Sequence, residues 1–265
     1  MDEDFDTVMV EFDDETGVGT VTMNRPDALN ALNGQLRDDI VAGLRRLEAE
    51  NEAAEGVALR AVVLEGAGEK AFCAGADVGG FSSDSAGASS EPSHYEFIRE
   101  FPVPVIAKID GYCLGGGLET ALACDFRLAS EGSAVGFPEV NLGIFPGAGG
   151  VQYVTKLAGP AVAKELAMTG DHISAERAAD EGIINHVYAD DEFEDAVDEF
   201  VTDLAGQAPL AIQAIKQSAA MAVQTGLNEG VAYDGQLFAE LLQTDDHAEG
   251  AAAFGEDRDP EFQGK

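Results

Sequence analysis

The sequence has few basic residues. Lysine and arginine together number 15, against 50 aspartates and glutamates, which gives a formal net charge of −35. Nucleic-acid binding needs a basic patch that neutralises phosphates, so this composition argues against a nucleic-acid partner. The acids are spread along the chain, as at 13–15, 190–192 and 256–257. This pattern favours adaptation to high salt, where screening shortens the range of charge repulsion. A specialised acidic partner surface is the alternative.

Cysteine and long apolar runs are also scarce. The three cysteines, Cys73, Cys113 and Cys124, do not suggest a disulfide framework. No Cys-x-x-Cys or His-x-x-x-His spacing occurs, so we expect no metal site. No apolar run approaches the roughly 18 residues that span a bilayer, and the acidic N-terminus lacks an apolar signal region. We therefore expect a cytoplasmic protein with no membrane partner.

The 265 residues allow one large domain or two small ones, at roughly 100–200 residues per domain. Alternating or buried apolar runs predict strands at 8–12, 19–23, 60–65, 104–109, 126–129 and 134–137. Helical spacing predicts a helix at about 34–50, capped by Asn30 or Asn33, and dominates from about 148 onward. We thus predict an α/β core over 1–195 and an α-helical region over 196–265. Residues 82–93 are predicted to form a disordered insertion.

Two glycine-rich segments follow the strand at 60–65. Residues 66–71 fit the glycine spacing of a dinucleotide fingerprint, but no helical period follows, so we interpret them as a turn. Residues 73–77 (CAGAD) are small, and small side chains let a ligand approach backbone N–H groups closely. A simple tight turn is the alternative for this segment.

Two acids lie in further glycine-rich settings. Glu119 ends the segment 115–119 (GGGLE), which leaves a buried strand and enters a helix whose first N–H groups can bind an oxyanion. Glu139 is the only acid between Glu131 and Glu165, and its apolar surroundings predict a raised pKa suited to proton transfer. The alternatives are a favourable helix-end charge for Glu119 and a surface loop acid for Glu139. The four histidines are interpreted as ordinary core or surface residues.

Together these segments resemble the crotonase, or enoyl-CoA hydratase/isomerase, superfamily. The resemblance covers nearly the whole chain, through 23–32 (MNRPDALNAL), 71–78 (AFCAGADV), 111–119 (GYCLGGGLE), 137–139 (FPE), 143–150 (GIFPGAGG) and 250–254 (GAAAF). It implies an α/β fold of ββα units wound as a spiral, ending in a helical region that assembles trimers or, as paired trimers, hexamers.

The resemblance also implies an acyl-CoA thioester as substrate, with no cofactor. By position, Ala76 and Gly116 match the two residues whose backbone N–H groups form the family's oxyanion hole. Gly147 matches a glycine whose N–H helps to place water or substrate. The segment that lines the CoA path contains Ala74, Asp77 and Val78.

Glu119 and Glu139 match the two glutamates of the hydratases. By analogy, Glu139 delivers a proton to C2 and Glu119 holds and activates water. Isomerases of the family typically lack an acid at the Glu119 position, so both acids favour hydration. We therefore predict an enoyl-CoA hydratase, a hydro-lyase of fatty-acid or amino-acid breakdown. It adds water syn across the 2,3 double bond of a 2-enoyl-CoA to give 3-hydroxyacyl-CoA. The alternative is another crotonase reaction, either double-bond isomerisation or hydration of a branched or hydroxylated enoyl-CoA.

Overall fold

The computed structural model of this protein describes residues 5–77 and 92–265. Val78 lies outside these residues, as does the predicted insertion except for its last two residues. Those two, Pro92 and Ser93, lead into a helix, and the Ser93 side chain accepts a hydrogen bond from the Glu96 N–H to cap it.

The strands of the described residues form two sheets. They are β1 (Val8–Asp13), β2 (Val18–Met23), β3 (Ala61–Gly66), β4 (Ala71–Cys73), β5 (Val105–Ile109), β6 (Tyr112–Leu114), β7 (Phe126–Ser130), β8 (Ala134–Gly136), β9 (His172–Ser174) and β10 (His186–Tyr188). The larger sheet has the order β1-β2-β3-β5-β7-β10, and the smaller has the order β4-β6-β8-β9. The predicted hairpin is the antiparallel pair β1 and β2, while β2, β3, β5, β7 and β10 run parallel.

The described residues also form nine α-helices. They are α1 (Gly34–Ala53), α2 (His94–Glu100), α3 (Gly116–Ala123), α4 (Gly150–Thr169), α5 (Ala175–Asp180), α6 (Phe193–Ala205), α7 (Pro209–Ala222), α8 (Leu227–Leu241) and α9 (Asp245–Glu256). Of the two predicted caps, Asn33 begins α1 by accepting a hydrogen bond from the Leu36 N–H. Among the described residues, no helix combines the length and apolar character needed to cross a bilayer.

The chain alternates between the two sheets. In the pairs β3–β4, β5–β6 and β7–β8, the first strand joins the larger sheet, the second joins the smaller, and a helix follows. This arrangement confirms the predicted spiral of ββα units. β4 and β6 fall in segments that the sequence did not indicate as strands, because each is a three-residue strand near glycines, which are typical of turns.

The centre of the larger sheet is buried on both faces. On β3, Val62 and Leu64 face the main core with α1, whereas Ala61 and Val63 face a second cluster that includes Val197 of α6. Burial on both faces explains why this strand is a continuous apolar run rather than an alternating one. The predicted boundary between residues 195 and 196 falls within α6, and the two-part division stays a prediction.

Candidate active site

A cavity of about 310 Å³ opens where β6 turns into α3 and meets the start of α4. Six of the predicted site residues line it: Ala74, Ala76, Gly116, Glu119, Glu139 and Gly147. Asp77 does not line it, and Val78 is not among the described residues. A larger cavity of about 470 Å³ lies between the larger sheet and α6, and it contains none of the predicted residues.

Two backbone N–H groups that have no acceptor among the described residues meet at this cavity. Leu32 donates to the Gly75 carbonyl at 2.8 Å and accepts from the Asp77 N–H at 3.0 Å, which holds the strand-like segment around Ala76. Within the described part of the chain, neither the Ala76 nor the Gly116 N–H donates a hydrogen bond. A methyl group built on Gly116 would lie 3.6 Å from the Ala76 nitrogen, so the two donors are neighbours. This pair can therefore bind one oxygen atom.

Glu119 is anchored by the backbone. It is the fourth residue of α3 and only 4% exposed. Its Oε1 accepts hydrogen bonds from the N–H groups of Ala148 at 2.7 Å and Gly150 at 2.9 Å. Burial raises the pKa of Glu119, while these two hydrogen bonds oppose the rise. The sequence analysis missed both anchoring residues, although the glycines at 147–150 before α4 were a signal for exposed donors.

Glu139 is held differently, on a 3₁₀ helix from Pro138 to Leu142. Its carboxylate packs against Gly115, where an added methyl group would lie 2.9 Å from Oε1. The Oε2 atom is buried and has no hydrogen-bond partner among the described residues. Burial, and to a smaller extent the charge of Glu119, raises the pKa of Glu139 to about 6, in the direction that the sequence predicted.

The loop of the oxyanion donors is supported by a buried histidine. The Thr120 hydroxyl donates to the Gly116 carbonyl at 2.8 Å, and His94 Nε2 lies 3.2 Å from the same hydroxyl oxygen. Because the hydroxyl proton is used on Gly116, we assign the proton between His94 and Thr120 to Nε2. Burial lowers the pKa of His94 to about 3, so the ring is neutral. His94 is thus a core residue, as interpreted, but one that contacts the site.

Asp77 does not line the cavity but forms an ion pair next to Ala76 in the chain. The Oδ2 atom of Asp77 lies 3.1 Å from Nη2 of Arg25. The other terminal nitrogen of Arg25, Nη1, donates to the Ala31 carbonyl. Arg37 and Tyr95 also line the cavity, and neither was singled out in the sequence. Among the described residues, no group of three or more histidines, cysteines or acids is arranged to hold a metal ion.

Comparison with known proteins agrees with this geometry. The enoyl-CoA hydratase/isomerase family model matches residues 13–265. A crystal structure from Geobacillus kaustophilus, described as an enoyl-CoA hydratase subunit I, is 36% identical, with a TM-score of 0.88 over 99% of this chain and 100% of that one. Two curated relatives are each 35% identical over 92% of this chain: the short-chain-enoyl-CoA hydratase of Clostridium acetobutylicum (93% covered) and the 2,3-dehydroadipyl-CoA hydratase of Escherichia coli (94% covered).

The spiral ββα fold, with a cavity at which two backbone N–H groups are neighbours, places this chain in the crotonase class of enzymes. The chain belongs to the enoyl-CoA hydratase/isomerase family. The prediction of an enzyme of the hydro-lyase type is confirmed by these similarities.

Proposed function

We propose that this protein adds water syn across the 2,3 double bond of a 2-enoyl-CoA to give a 3-hydroxyacyl-CoA. The observation that carries the proposal is the meeting of two carboxyl groups, both with raised pKa, and two unoccupied N–H donors in one cavity. The reaction is redox-neutral, so the proposal includes no cofactor beyond the CoA of the substrate.

The thioester carbonyl would bind to the N–H groups of Ala76 and Gly116. Attack of water on C3 moves negative charge onto that carbonyl oxygen. Fixed backbone donors stabilise the charge as it develops, each by about 3 kcal/mol in comparable sites. The donors are in place before substrate arrives, because α3 and the Leu32 bridge fix their backbone.

Glu119 is suited to hold and activate the attacking water. Its Oε1 is occupied by two backbone donors, so the remaining oxygen is available to accept a proton from water. As that proton leaves, the water oxygen forms its bond to C3. A carboxylate held in one rotamer loses no orientation at this step.

Glu139 is suited to deliver the proton to C2. With a pKa of about 6, it keeps a protonated fraction near neutral pH that an ordinary glutamate would not keep. After both steps Glu119 holds the proton from water and Glu139 has lost its own. A proton must then return from Glu119 to Glu139, directly or through solvent, before the next turnover, and the net reaction is the addition of one water molecule. The two environments give the two carboxyl groups different roles.

The names of the two relatives indicate different acyl groups, although both are equally identical to this chain. Sequence identity alone therefore does not identify the acyl group of the substrate. Double-bond isomerisation is the second candidate, because the family includes isomerases. Moving a double bond requires proton transfer but no held water, so the anchored Glu119 favours hydration.

The test is hydration of crotonyl-CoA in molar KCl, followed by loss of the conjugated-enoyl absorbance. We expect Glu139→Gln to lower kcat by about 10²- to 10⁴-fold, the range for losing a positioned acid. Glu131→Gln, an equal charge change at an exposed acid, is the control and should keep activity. Wild-type turnover in Glu139→Gln would refute the assignment. Isomerase activity that survives Glu119→Ala, with no hydration by the wild type, would favour isomerisation.

We further propose that the chain assembles as a homotrimer or as a hexamer of paired trimers. The support is a set of exposed apolar side chains on α7–α9: Ile215, Leu227, Val231, Phe238 and Phe254. Exposed apolar patches of this kind are typical of subunit interfaces. Light scattering in molar KCl should give three or six times the monomer mass of 27.6 kDa, and a monomer would contradict the proposal.

A further inference from the structure

Arg37 is a cationic side chain that lines the reaction cavity and forms no hydrogen bond or ion pair with another described side chain. It lies near the start of α1, next in sequence to the buried Leu36, which shares one helix face with Ile40. The Arg37 side chain lines the cavity. Its Nε is buried and has no hydrogen-bond partner among the described residues. Arg37 belongs to none of the ion pairs within this part of the chain.

The protein satisfies a buried arginine elsewhere. The guanidinium of Arg127 donates to the Ile183 carbonyl at 2.7 Å, the Cys124 carbonyl at 3.0 Å and the Asn185 side chain at 3.1 Å. Burying a charged donor without an acceptor is unfavourable, so such groups are normally paired. Arg37 therefore differs from Arg127 in having donor capacity left for a bound molecule.

A second unused polar group shares this wall of the cavity. The Tyr95 hydroxyl makes no hydrogen bond with a described residue, and a methyl group on Gly116 would lie 3.1 Å from its oxygen. Helices α1, α2 and α3 pack in sequence, which brings Arg37, Tyr95 and Glu119 together. The charge of Arg37 lowers the pKa values of Tyr95 and Glu119 against the larger effect of burial. Arg37 thus shares the cavity with Glu119 and is close enough for its charge to act on that carboxyl group.

We propose that Arg37 binds a carboxylate on the acyl chain, so that the preferred substrates are enoyl-CoA thioesters carrying a second carboxyl group. The inference rests on the proposed function in placing an acyl-CoA in this cavity. The planar guanidinium matches a carboxylate through two parallel hydrogen bonds. Apolar residues Leu142, Ile144 and Phe145 line the cavity and can contact the methylene chain between the two ends.

Charge makes a cationic partner necessary for such a substrate. Glu119 and Glu139 line the same cavity, and the chain carries a net charge of −35. A second carboxylate entering this field is repelled unless a cation offsets it. Among the described residues that line the cavity, Arg37 is the one with a cationic side chain.

The first experiment measures binding of unreactive saturated ligands by calorimetry in molar KCl. Succinyl-, glutaryl- and adipyl-CoA are compared with butanoyl-, pentanoyl- and hexanoyl-CoA, which have the same numbers of carbons. We expect the wild type to prefer the carboxylated member of at least one pair. Arg37→Met should remove that preference, weakening the carboxylated ligand by roughly 10- to 100-fold, the range for a lost charged hydrogen bond.

The controls separate this from other roles of Arg37. Arg37→Lys keeps the charge without the fork and should retain part of the preference. Arg45→Met removes an equal charge from the same helix, at a side chain stacked on Phe97, and should keep the preference. Binding of free CoA, which has no acyl chain, tests whether Arg37 contacts the CoA phosphates instead. If Arg37→Met weakens free CoA as much as the carboxylated ligand, Arg37 binds the CoA phosphates and the proposal is wrong.

The second experiment compares kcat/KM for 2-hexenoyl-CoA and its 6-carboxylate counterpart, 2,3-dehydroadipyl-CoA, and for the shorter matched pairs. Arg37→Met should lower the kcat/KM for the carboxylated substrate relative to that for the uncharged substrate of each pair. Equal loss on both substrates, or no Arg37-dependent preference in any pair, overturns the proposal. If the wild type binds the carboxylated ligands preferentially but hydrates no enoyl-CoA, the proposed function fails while carboxylate recognition stands. If it hydrates 2-hexenoyl-CoA without any preference, only carboxylate recognition fails.

Discussion

Glu139 should destabilise the folded protein at neutral pH, so Glu139→Gln should be more stable than the wild type. Burial raises the pKa of this carboxyl from its ordinary 4.5 to about 6. The Glu139 carboxyl therefore ionises near pH 4.5 in the unfolded chain and near pH 6 in the folded protein. Between these values the folded state binds more protons, so stability falls as pH rises through this window. Above about pH 6 the full cost of the buried charge remains.

The magnitude follows from the size of this pKa change. At about 1.4 kcal/mol per pKa unit, the cost is at most ~2 kcal/mol. Glu139 borders the open cavity, where water screens its charge, so we expect a value of about 1 kcal/mol. Glutamine is uncharged throughout, so the variant avoids this cost. The gain should be near zero below pH 4.5 and reach about 1 kcal/mol above pH 6.

Urea unfolding of both proteins in molar KCl, at pH values from 4 to 8, measures this difference. Removing one negative charge from a chain of net charge −35 also relieves general repulsion. Glu131→Gln corrects for that effect, since Glu131 is exposed. A difference between Glu139→Gln and the wild type that does not change with pH would refute the reasoning. So would a Glu139→Gln protein less stable than the wild type at pH 8.

Three further outcomes are expected. Glu119→Ala leaves two backbone N–H groups without their acceptor and should lose about 1–3 kcal/mol in urea unfolding, whereas Glu119→Gln should keep most stability because its amide oxygen still accepts. Gly117→Ala places a methyl group 2.2 Å from the Cys73 carbonyl oxygen and should lower the yield of soluble protein, while Gly34→Ala, with no atom within 4 Å, should not. The melting temperature should fall when KCl is lowered from molar to millimolar concentration, since repulsion among the 50 acids is then less screened. An unchanged melting temperature would contradict salt adaptation.

The sequence predicted the elements whose signals are local. The hairpin of β1 and β2, the buried strands β3 and β5, and helix α1 each contain enough residues to show their period. β4, β6, β9 and β10 have three residues each, and the sequence analysis did not resolve them as separate strands. Short strands are set by pairing with neighbours distant in sequence, which no local pattern reports.

The sequence by itself determined the family, and it marked Glu119 and Glu139 as candidate site residues, because glycine-rich turns and isolated acids are visible as local composition. Only the tertiary structure decided what those acids contact. The donors that hold Glu119 lie 29 and 31 residues further along the chain. In the sequence Arg37 is one charged residue on an amphipathic helix, and it meets Tyr95 and Glu119 only because α2 packs against α1 and α3 packs against α2. Helical period reports which face is buried, but the partner across that face is chosen by the packing of the whole fold.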